Sequence, residues 1–572
     1  MSEQGSNFSK LRDILPFLVA ATFLNGCVSI PQSLPLSGGM VVSADSLATI
    51  VGTDILKNNG NAVDAAVAVG FALAVTYPVA GNIGGGGFMV IRTAKGEEIT
   101  FDYREKAPAG AKRDMYLDSL GNFIDTLAQE GVLSAGVPGS VAGMLDALEK
   151  YGTMSREDVI SPALKLAKEG FKLPYSTSAS FSKYYQSFMK YPSTAKIFTN
   201  NGNQFNPGDL FLQPDLATTL ERIIGHGKEG FYKGETARLI TEQMKAGNGL
   251  ITSKDLEDYS PVIRKPVTGE YRGYKIISMA PPSSGGIALI QLLNILENID
   301  LKKLGHNSSK YVHYLSEAMR RVYADRSEYL GDPDFFKVPV KDLLSKEYAK
   351  KLFSGIQVTA TPSIEVKPGL TSFDESLETT HYSVIDREGN AVSVTTTINS
   401  GYGAKVVVEG AGFFLNNEMD DFSAKPGVPN QFGLLGSEAN SIQPGKRMLS
   451  SMTPTIVLKN DKPFLIVGSP GGSTIITSVL QVILNVLDFD MDVRTAVDAP
   501  RIHHQWYPEH VSVETGVLDE LEVRELNASG YTIRDISYLG LIEAIKIDQA
   551  TGKVSGASDR RGSGMARGES EK

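Results

Sequence analysis

Between residues 40 and 110 the apolar positions change period twice. SLATIVGTDILKNNG (46–60) repeats its apolar residues at helical spacing and stops at Gly60, which predicts an amphipathic helix. NAVDAAVAVGFALAVTYP (61–78) opens on an Asn cap and ends before Pro78, and its Ala and Val content predicts a buried helix. GNIGGGGFMVIRTAKGEEITFDYREKAP (81–108) reads as a glycine loop followed by two strands joined at Lys95-Gly96. Residues 115–260 are mainly helical in pattern, and residues 271–330 give a strand, the segment APPSSGG, a helix from Ile287 and the helix SEAMRRVYADRSEYL. The rhythm breaks at 355–378, where IQVTATPSIEVKPGLTSFDESLE is polar, punctuated by proline and without sustained period, as in an exposed linker. Strand patterns return at once: 380–386, 390–398, near 411–416, TPTIVL and PFLIVGSPGG, then a helix over 473–487 and further strands to about 548. The tail from 558 to 572 reads as flexible, and no repeat of 20–50 residues is apparent. The alternation is that of an α/β (α+β) chain with a seam just before Thr379.

Residues 377–399, LETTHYSVIDREGNAVSVTTTIN, carry threonines at both ends of a predicted hairpin. Asp386-Arg387-Glu388-Gly389 suits a type I turn with Gly389 in the left-handed region, as in a three-residue hairpin loop. Asp386 then opposes Asn390, and counting back sets Thr379 opposite Thr397, with side chains roughly 5 Å apart on one face and Asn399 following on that face. A two-residue loop would set Ile398 there instead. Threonine favours strands whatever its role. A threonine hydroxyl becomes a nucleophile when a base is at hand, and the free α-amine left by cutting the chain before that residue is one such base, titrating near pH 8. On that reading Glu378/Thr379 is a processing site and Thr397 orients the Thr379 hydroxyl.

Composition narrows the class. A chain of 572 residues suggests two to four domains or one large α/β unit. Net charge is −9 and pI about 5.5, with no basic patch, which argues against nucleic-acid binding. A single cysteine excludes an internal disulfide and a cysteine-based metal cluster. That cysteine closes the apolar run ILPFLVAATFLNGC (14–27), which follows Lys10 and Arg12 and fits a signal-peptide core better than a membrane span. Leu24-Asn25-Gly26-Cys27 resembles a bacterial lipoprotein box, so the expectation is a signal over 1–26, a lipidated Cys27 and export to the periplasm or anchorage to the envelope. The glycines at 84–87 lack the following Lys-Ser/Thr of a phosphate loop, and the adjacent His503-His504 lack metal-ligand partners at suitable spacing. No cofactor and no metal is expected.

GNIGGGGFMV, FDYREKAP, VPGSVAGM, THYSV…GNAVSVTTTIN, FLNNEMDDFSAKPG, RMLSSMTPTIV and VGSPGG follow one another in that order. From about residue 35 to about 560 they make the chain resemble the bacterial γ-glutamyltranspeptidase (γ-glutamyltransferase) family of N-terminal-nucleophile hydrolases. The resemblance implies a four-layer αββα sandwich and a precursor that cuts itself into a large subunit, 27–378, and a small catalytic subunit, 379–572, which stay together. Thr379 would attack the carbonyl of Glu378, pass through an ester and become a new N-terminus. It would then attack the γ-amide of glutathione or a related γ-glutamyl compound and pass the acyl group to water, an amino acid or a dipeptide. By the same resemblance Arg104, Ser450 and Ser451 hold the glutamyl α-carboxylate, and Asn399, Glu418 and Asp421 hold the α-ammonium. Gly471 and Gly472 form the oxyanion hole, and 426–437 covers the pocket, with Phe432 where many members have Tyr. Two alternatives stay open: poly-γ-glutamate or cephalosporin acylase-type activity on the same scaffold, and an uncleaved, inactive envelope protein that binds γ-glutamyl peptides.

Overall fold

The hairpin of the threonines forms as strands Thr380–Ile385 and Ala391–Thr397. Gly389 takes φ 91° and the Asp386 carboxylate accepts the Asn390 N–H at 2.9 Å, so the three-residue loop is closed from within. The register runs from Ile385 opposite Ala391 to Thr380 opposite Thr396, and one further step sets Thr379 opposite Thr397. A computed structural model describes residues 36–367 and 379–570 other than 426, 429 and 432. Cys27, Glu378 and Phe432 lie outside the described residues, as does the second half of the expected linker.

This hairpin is the centre of an antiparallel seven-stranded sheet, ordered Met565–Gly568, Met40–Ser43, Thr380–Ile385, Ala391–Thr397, Gly86–Arg92, Glu98–Asp102 and Val262–Arg264. A second antiparallel sheet has the order Val554–Ser558, Glu543–Ile547, Lys462–Gly468, Thr455–Lys459, Tyr274–Ser278 and Val267–Tyr271. Alternation sorts the faces. Tyr382, Val384, Val392 and Val394 pack outward with helices Ser46–Lys57, Ala62–Thr76 and Ser140–Tyr151. Ile385 and Ala391 point inward to meet Ile277, Ile456 and Ile466 of the other sheet. Helices Gly285–Leu296, Ser309–Tyr329 and Thr474–Leu487 cover that sheet's far face. The result is four layers, αββα, and the described residues form one unit.

The inner face is polar near the nucleophile candidate. His381 is fully buried, its Nδ1 2.8 Å from Thr395 Oγ1 and its Nε2 3.1 Å from Ser383 Oγ. A Cβ on Gly468 would lie 2.2 Å from the ring, so this glycine lets the second sheet approach the imidazole. Burial lowers the His381 pKa from 6.5 to about 3. The folded state therefore stays unprotonated there while the unfolded chain takes up a proton near pH 6.5, and stability falls as pH drops through that window, by up to about 4–5 kcal/mol from this one group. Thermal unfolding midpoints of His381→Asn should fall less between pH 7 and pH 5 than those of the parent; an identical fall would discard the assignment.

Three expectations need correction. The tail is not flexible throughout: Met565–Gly568 pairs with Met40–Ser43, and Glu569 receives the Arg387 guanidinium. Its partly exposed side chains leave no apolar alternation to read, because the edge strand is held by backbone pairing. Residues 411–416 form no strand: Gly410 and Gly412 take φ 73° and 80°, and only Val407 and Phe414 bridge. Before residue 368 the linker is docked, with Ser363 buried, its hydroxyl donating to the Trp506 carbonyl at 2.6 Å and its own carbonyl accepting the indole N–H at 2.9 Å.

Candidate active site

Thr379 opens the inner-facing row that continues through His381 and Ser383. It is 8% exposed, and it alone lines both of two adjoining cavities. The smaller is a polar pocket that also receives Thr397, Asn399, Arg104, Glu418, Asp421, Ser450, Ser451 and Gly472. The larger is a cleft reached by Gly471. Every predicted site residue among those described thus lies at one cavity or the other.

The elements that deliver these side chains are short irregular segments at the ends of strands. Thr397 ends its strand, and its Oγ1 accepts the Asn399 N–H at 2.7 Å. Asn399 has φ 73°, a region asparagine tolerates, and its amide donates to the Asn417 carbonyl at 2.9 Å. That contact ties the hairpin to the 3-10 turn Glu418–Asp421. Arg104 follows the strand Glu98–Asp102 and is fully buried. Its Nε donates to the Met448 carbonyl at 3.3 Å, and its terminal nitrogens pair with Glu418 and Asp421. Glu105 lies 3.7 Å away, and neither of its carboxylate oxygens has a hydrogen-bond partner among the described residues.

Two buried carboxyls, Glu105 and Glu418, and the mostly buried Asp421 therefore surround one guanidinium. Burial raises the Glu418 carboxyl well above the ordinary range, with Arg104 pulling it back in part, and raises Asp421 in the same way. Glu105 is pushed up to about 7, again by burial. Burial opposes the charge on Arg104, but Glu418 and Asp421 outweigh it and hold the guanidinium protonated. An arrangement with one donor-only fork and two facing carboxylates suits a zwitterion: a ligand carboxylate can take the fork while its ammonium takes the acids.

Ser450 and Ser451 are fixed against the APPSSGG segment. The Ser284 N–H and hydroxyl both donate to the Ser450 carbonyl, at 2.7 and 2.6 Å. Above the pocket the covering segment is fastened by polar contacts: Asn430 Nδ2 to Asp421 at 3.3 Å, the Gln431 N–H to Asp420 at 3.1 Å, and Ser400 Oγ to Gln431 at 2.7 Å. On the other side, strand Lys462–Gly468 runs through Ser469-Pro470 into Gly471-Gly472 and helix Thr474–Leu487. Gly471 and Gly472 take φ 134° and 54°, and neither N–H donates a hydrogen bond among the described residues. Two undonated N–H groups flanking Thr379 are suited to a developing oxyanion.

Sequence reasoning missed Arg326 and Ser284, and placed Asn430 and Gln431 only as part of the covering segment 426–437. Arg326 stood in the sequence only as one of several charged residues of SEAMRRVYADRSEYL, and Ser284 only within the APPSSGG segment. His503 and His504 are both buried; His503 contacts Thr477 and Gln505 at 2.8 and 2.9 Å. Among the described residues no cluster of three or more His, Cys, Asp or Glu could hold a metal ion.

Comparison with known proteins bears on the same residues. The family model for gamma-glutamyltranspeptidase matches residues 48–568. The glutathione hydrolase proenzyme of Escherichia coli (strain K12) is 49% identical over 525 residues, covering 91% of this chain and 90% of that protein. Among solved structures, cephalosporin acylase from Bacillus halodurans superposes with a TM-score of 0.83 at 26% identity, covering 98% of this chain and 99% of its own. Helicobacter pylori gamma-glutamyltranspeptidase superposes with a TM-score of 0.56 at 52% identity, covering 57% of this chain and 94% of its own. With the sandwich, the terminal-strand threonine and the glycine pair already in place, a match of that extent leaves one assignment: this chain belongs to the gamma-glutamyltranspeptidase family.

Proposed function

We propose that this protein is an autoprocessing γ-glutamyl hydrolase and transferase that acts on glutathione and related γ-glutamyl compounds. The observation that carries the reading is the position of Thr379, between the pocket lined by Arg104, Glu418 and Asp421 and an open cleft, with Gly471 and Gly472 beside it. In the precursor, Thr379 Oγ attacks the carbonyl carbon of Glu378, the peptide nitrogen leaves as the Thr379 amine, and the resulting ester is hydrolysed by water. The chain is then divided into residues 27–378 and 379–572. The freed α-amine, with an ordinary pKa near 8, takes the Thr379 hydroxyl proton as Oγ attacks the donor γ-amide carbon. The Gly471 and Gly472 N–H groups stabilise the oxyanion, the amine returns the proton to the departing cysteinylglycine nitrogen, and a γ-glutamyl ester remains on Thr379. Water, an amino acid or a dipeptide entering from the cleft then takes the acyl group. Thr397, its oxygen already occupied by the Asn399 N–H, keeps a proton to orient Thr379. Arg104, Ser450 and Ser451 receive the α-carboxylate, and Asn399, Glu418 and Asp421 the α-ammonium.

Acylase or poly-γ-glutamate activity on the same scaffold fits less well, since an Arg-and-two-acids set and a fastened cover favour a compact α-amino acid head. We also propose export, with Cys27 as the lipidated first residue of the large subunit; no helix among the described residues is long and apolar enough to cross a membrane. Two measurements test the whole reading. N-terminal analysis and mass spectrometry of purified protein should find a small chain beginning Thr379-Thr380-His381 and a large chain beginning at modified Cys27. Initial rates of cysteinylglycine release from glutathione should rise when glycylglycine is added. A single uncleaved chain that only binds γ-glutamyl peptides would leave the binding-protein alternative standing.

A further inference from the structure

Arg326 lies near the end of helix Ser309–Tyr329, buried to 4% exposure, and lines the same pocket as Thr379. Unlike Arg104 it makes no ion pair among the described residues. Its Nε donates to Ser284 Oγ at 2.9 Å and a terminal nitrogen donates to Ser451 Oγ at 3.0 Å. A buried guanidinium hydrogen-bonded only to hydroxyls is costly to keep, which asks what completes it.

The directions of the hydrogen bonds give the answer. A guanidinium only donates, so Ser451 Oγ, accepting from Arg326, must send its own proton elsewhere. Ser450 Oγ accepts the Met452 N–H at 3.1 Å and is left in the same position. Neither hydroxyl donates to another described residue. Ser284, accepting from Arg326, passes its proton to the Ser450 carbonyl at 2.6 Å and so fixes the loop that carries both serines. Two hydroxyl protons and a guanidinium that lies near Asp421 without a hydrogen bond to it therefore converge on a pocket that already holds the Arg104 fork, an arrangement that an anion with several acceptor positions satisfies together.

We infer that Arg326 is a positioning residue for donor recognition: it sets Ser451 directly, and Ser450 through Ser284, as hydroxyl donors to the substrate's α-carboxylate, and that carboxylate completes its charge balance. Burial lowers the Arg326 pKa to about 10, with Arg104 adding to the fall, while Tyr323 and Asp421 act the other way. The inference rests on the γ-glutamyl reading above and adds to it a residue that decides between donors with and without a free α-carboxylate.

The test compares γ-glutamyl-p-nitroanilide with 4-aminobutyryl-p-nitroanilide, which keeps the amine and lacks the α-carboxylate. In Arg326→Gln the KM for the γ-glutamyl donor should rise about 30-fold with kcat changed less than about threefold, while kcat/KM for the 4-aminobutyryl donor changes less than about threefold. Arg326→Lys should recover part of the loss, and Ser451→Ala should raise the same KM about tenfold, the double variant being little worse than Arg326→Gln alone. An unchanged KM, or equal losses on both donors, would overturn the inference. If neither arginine variant is processed, Ser451→Ala decides, and an unaltered KM there overturns it. A parent enzyme inactive on both donors would strike instead at the proposed function.

Discussion

Thr379→Ala should accumulate as one uncleaved chain with no detectable release of cysteinylglycine from glutathione. The substitution removes a hydroxyl and a methyl at a position that precedes its strand and carries none of the ladder pairing between Thr380 and Thr396. The sandwich should therefore form, and the thermal midpoint of the precursor should stay within a few degrees of the parent's, since a change of about 1 kcal/mol moves a chain of this size by only a few degrees. The chemistry should be lost twice over. Without Oγ there is no attack on Glu378, so no amine is released, and without Oγ no acyl ester can form on the donor. Removal of a nucleophile that works as a unit with its base costs about 10⁴-fold or more. Thr379→Ser should restore both events at reduced rate. A cleaved Thr379→Ala protein, or one keeping more than about 1% of parental activity, would move the nucleophile elsewhere.

Arg104→Gln should raise the KM for γ-glutamyl donors by about 100-fold, through loss of a charge-assisted contact to the α-carboxylate. It should also destabilise the protein, an effect that only the packing around Arg104 reveals. Arg104 is the shared partner of Glu418 and Asp421, and removing one side of a buried ion pair costs about 3–5 kcal/mol. Both acids already have raised pKa values, so in the variant they can take up protons and recover part of that cost. Two consequences separate stability from binding. The variant should be less destabilised at pH 5.5 than at pH 8, because protonation relieves the unpaired acids in the folded state. Arg104→Gln combined with Glu418→Gln should recover stability but not KM. Parental KM and parental stability together would take Arg104 out of the pocket.

The same contacts bear on substrate entry. Arg104 is held in ion pairs with Glu418 and Asp421. On the proposed function, a zwitterionic donor would exchange those ion pairs for its own, carboxylate to Arg104 and ammonium to the acids, with no net charge brought into the interior. A donor lacking either group would leave one side of the exchange unpaired, and the site discriminates against it by the cost of a buried orphan charge.

Local order was written plainly in the chain. The turn chemistry of Asp386 to Gly389 suits a three-residue loop, and register follows from loop length, so the pairing that brings Thr379 to Thr397 was legible on that condition, and the structure decides against the two-residue loop. The helices flanking the sandwich were equally legible from their period and caps, because both signals are set by residues within a few positions of one another. What the chain did not disclose was joined across hundreds of residues. Arg104 meets Glu418 and Asp421, Arg326 meets Ser284 and Ser451, and Met565–Gly568 completes the edge beside Met40–Ser43 only once two sheets have closed on each other. Periodicity records which side of an element is buried. Which charged groups share that burial, and so whose pKa values move, is settled by the packing of loops that have no period at all.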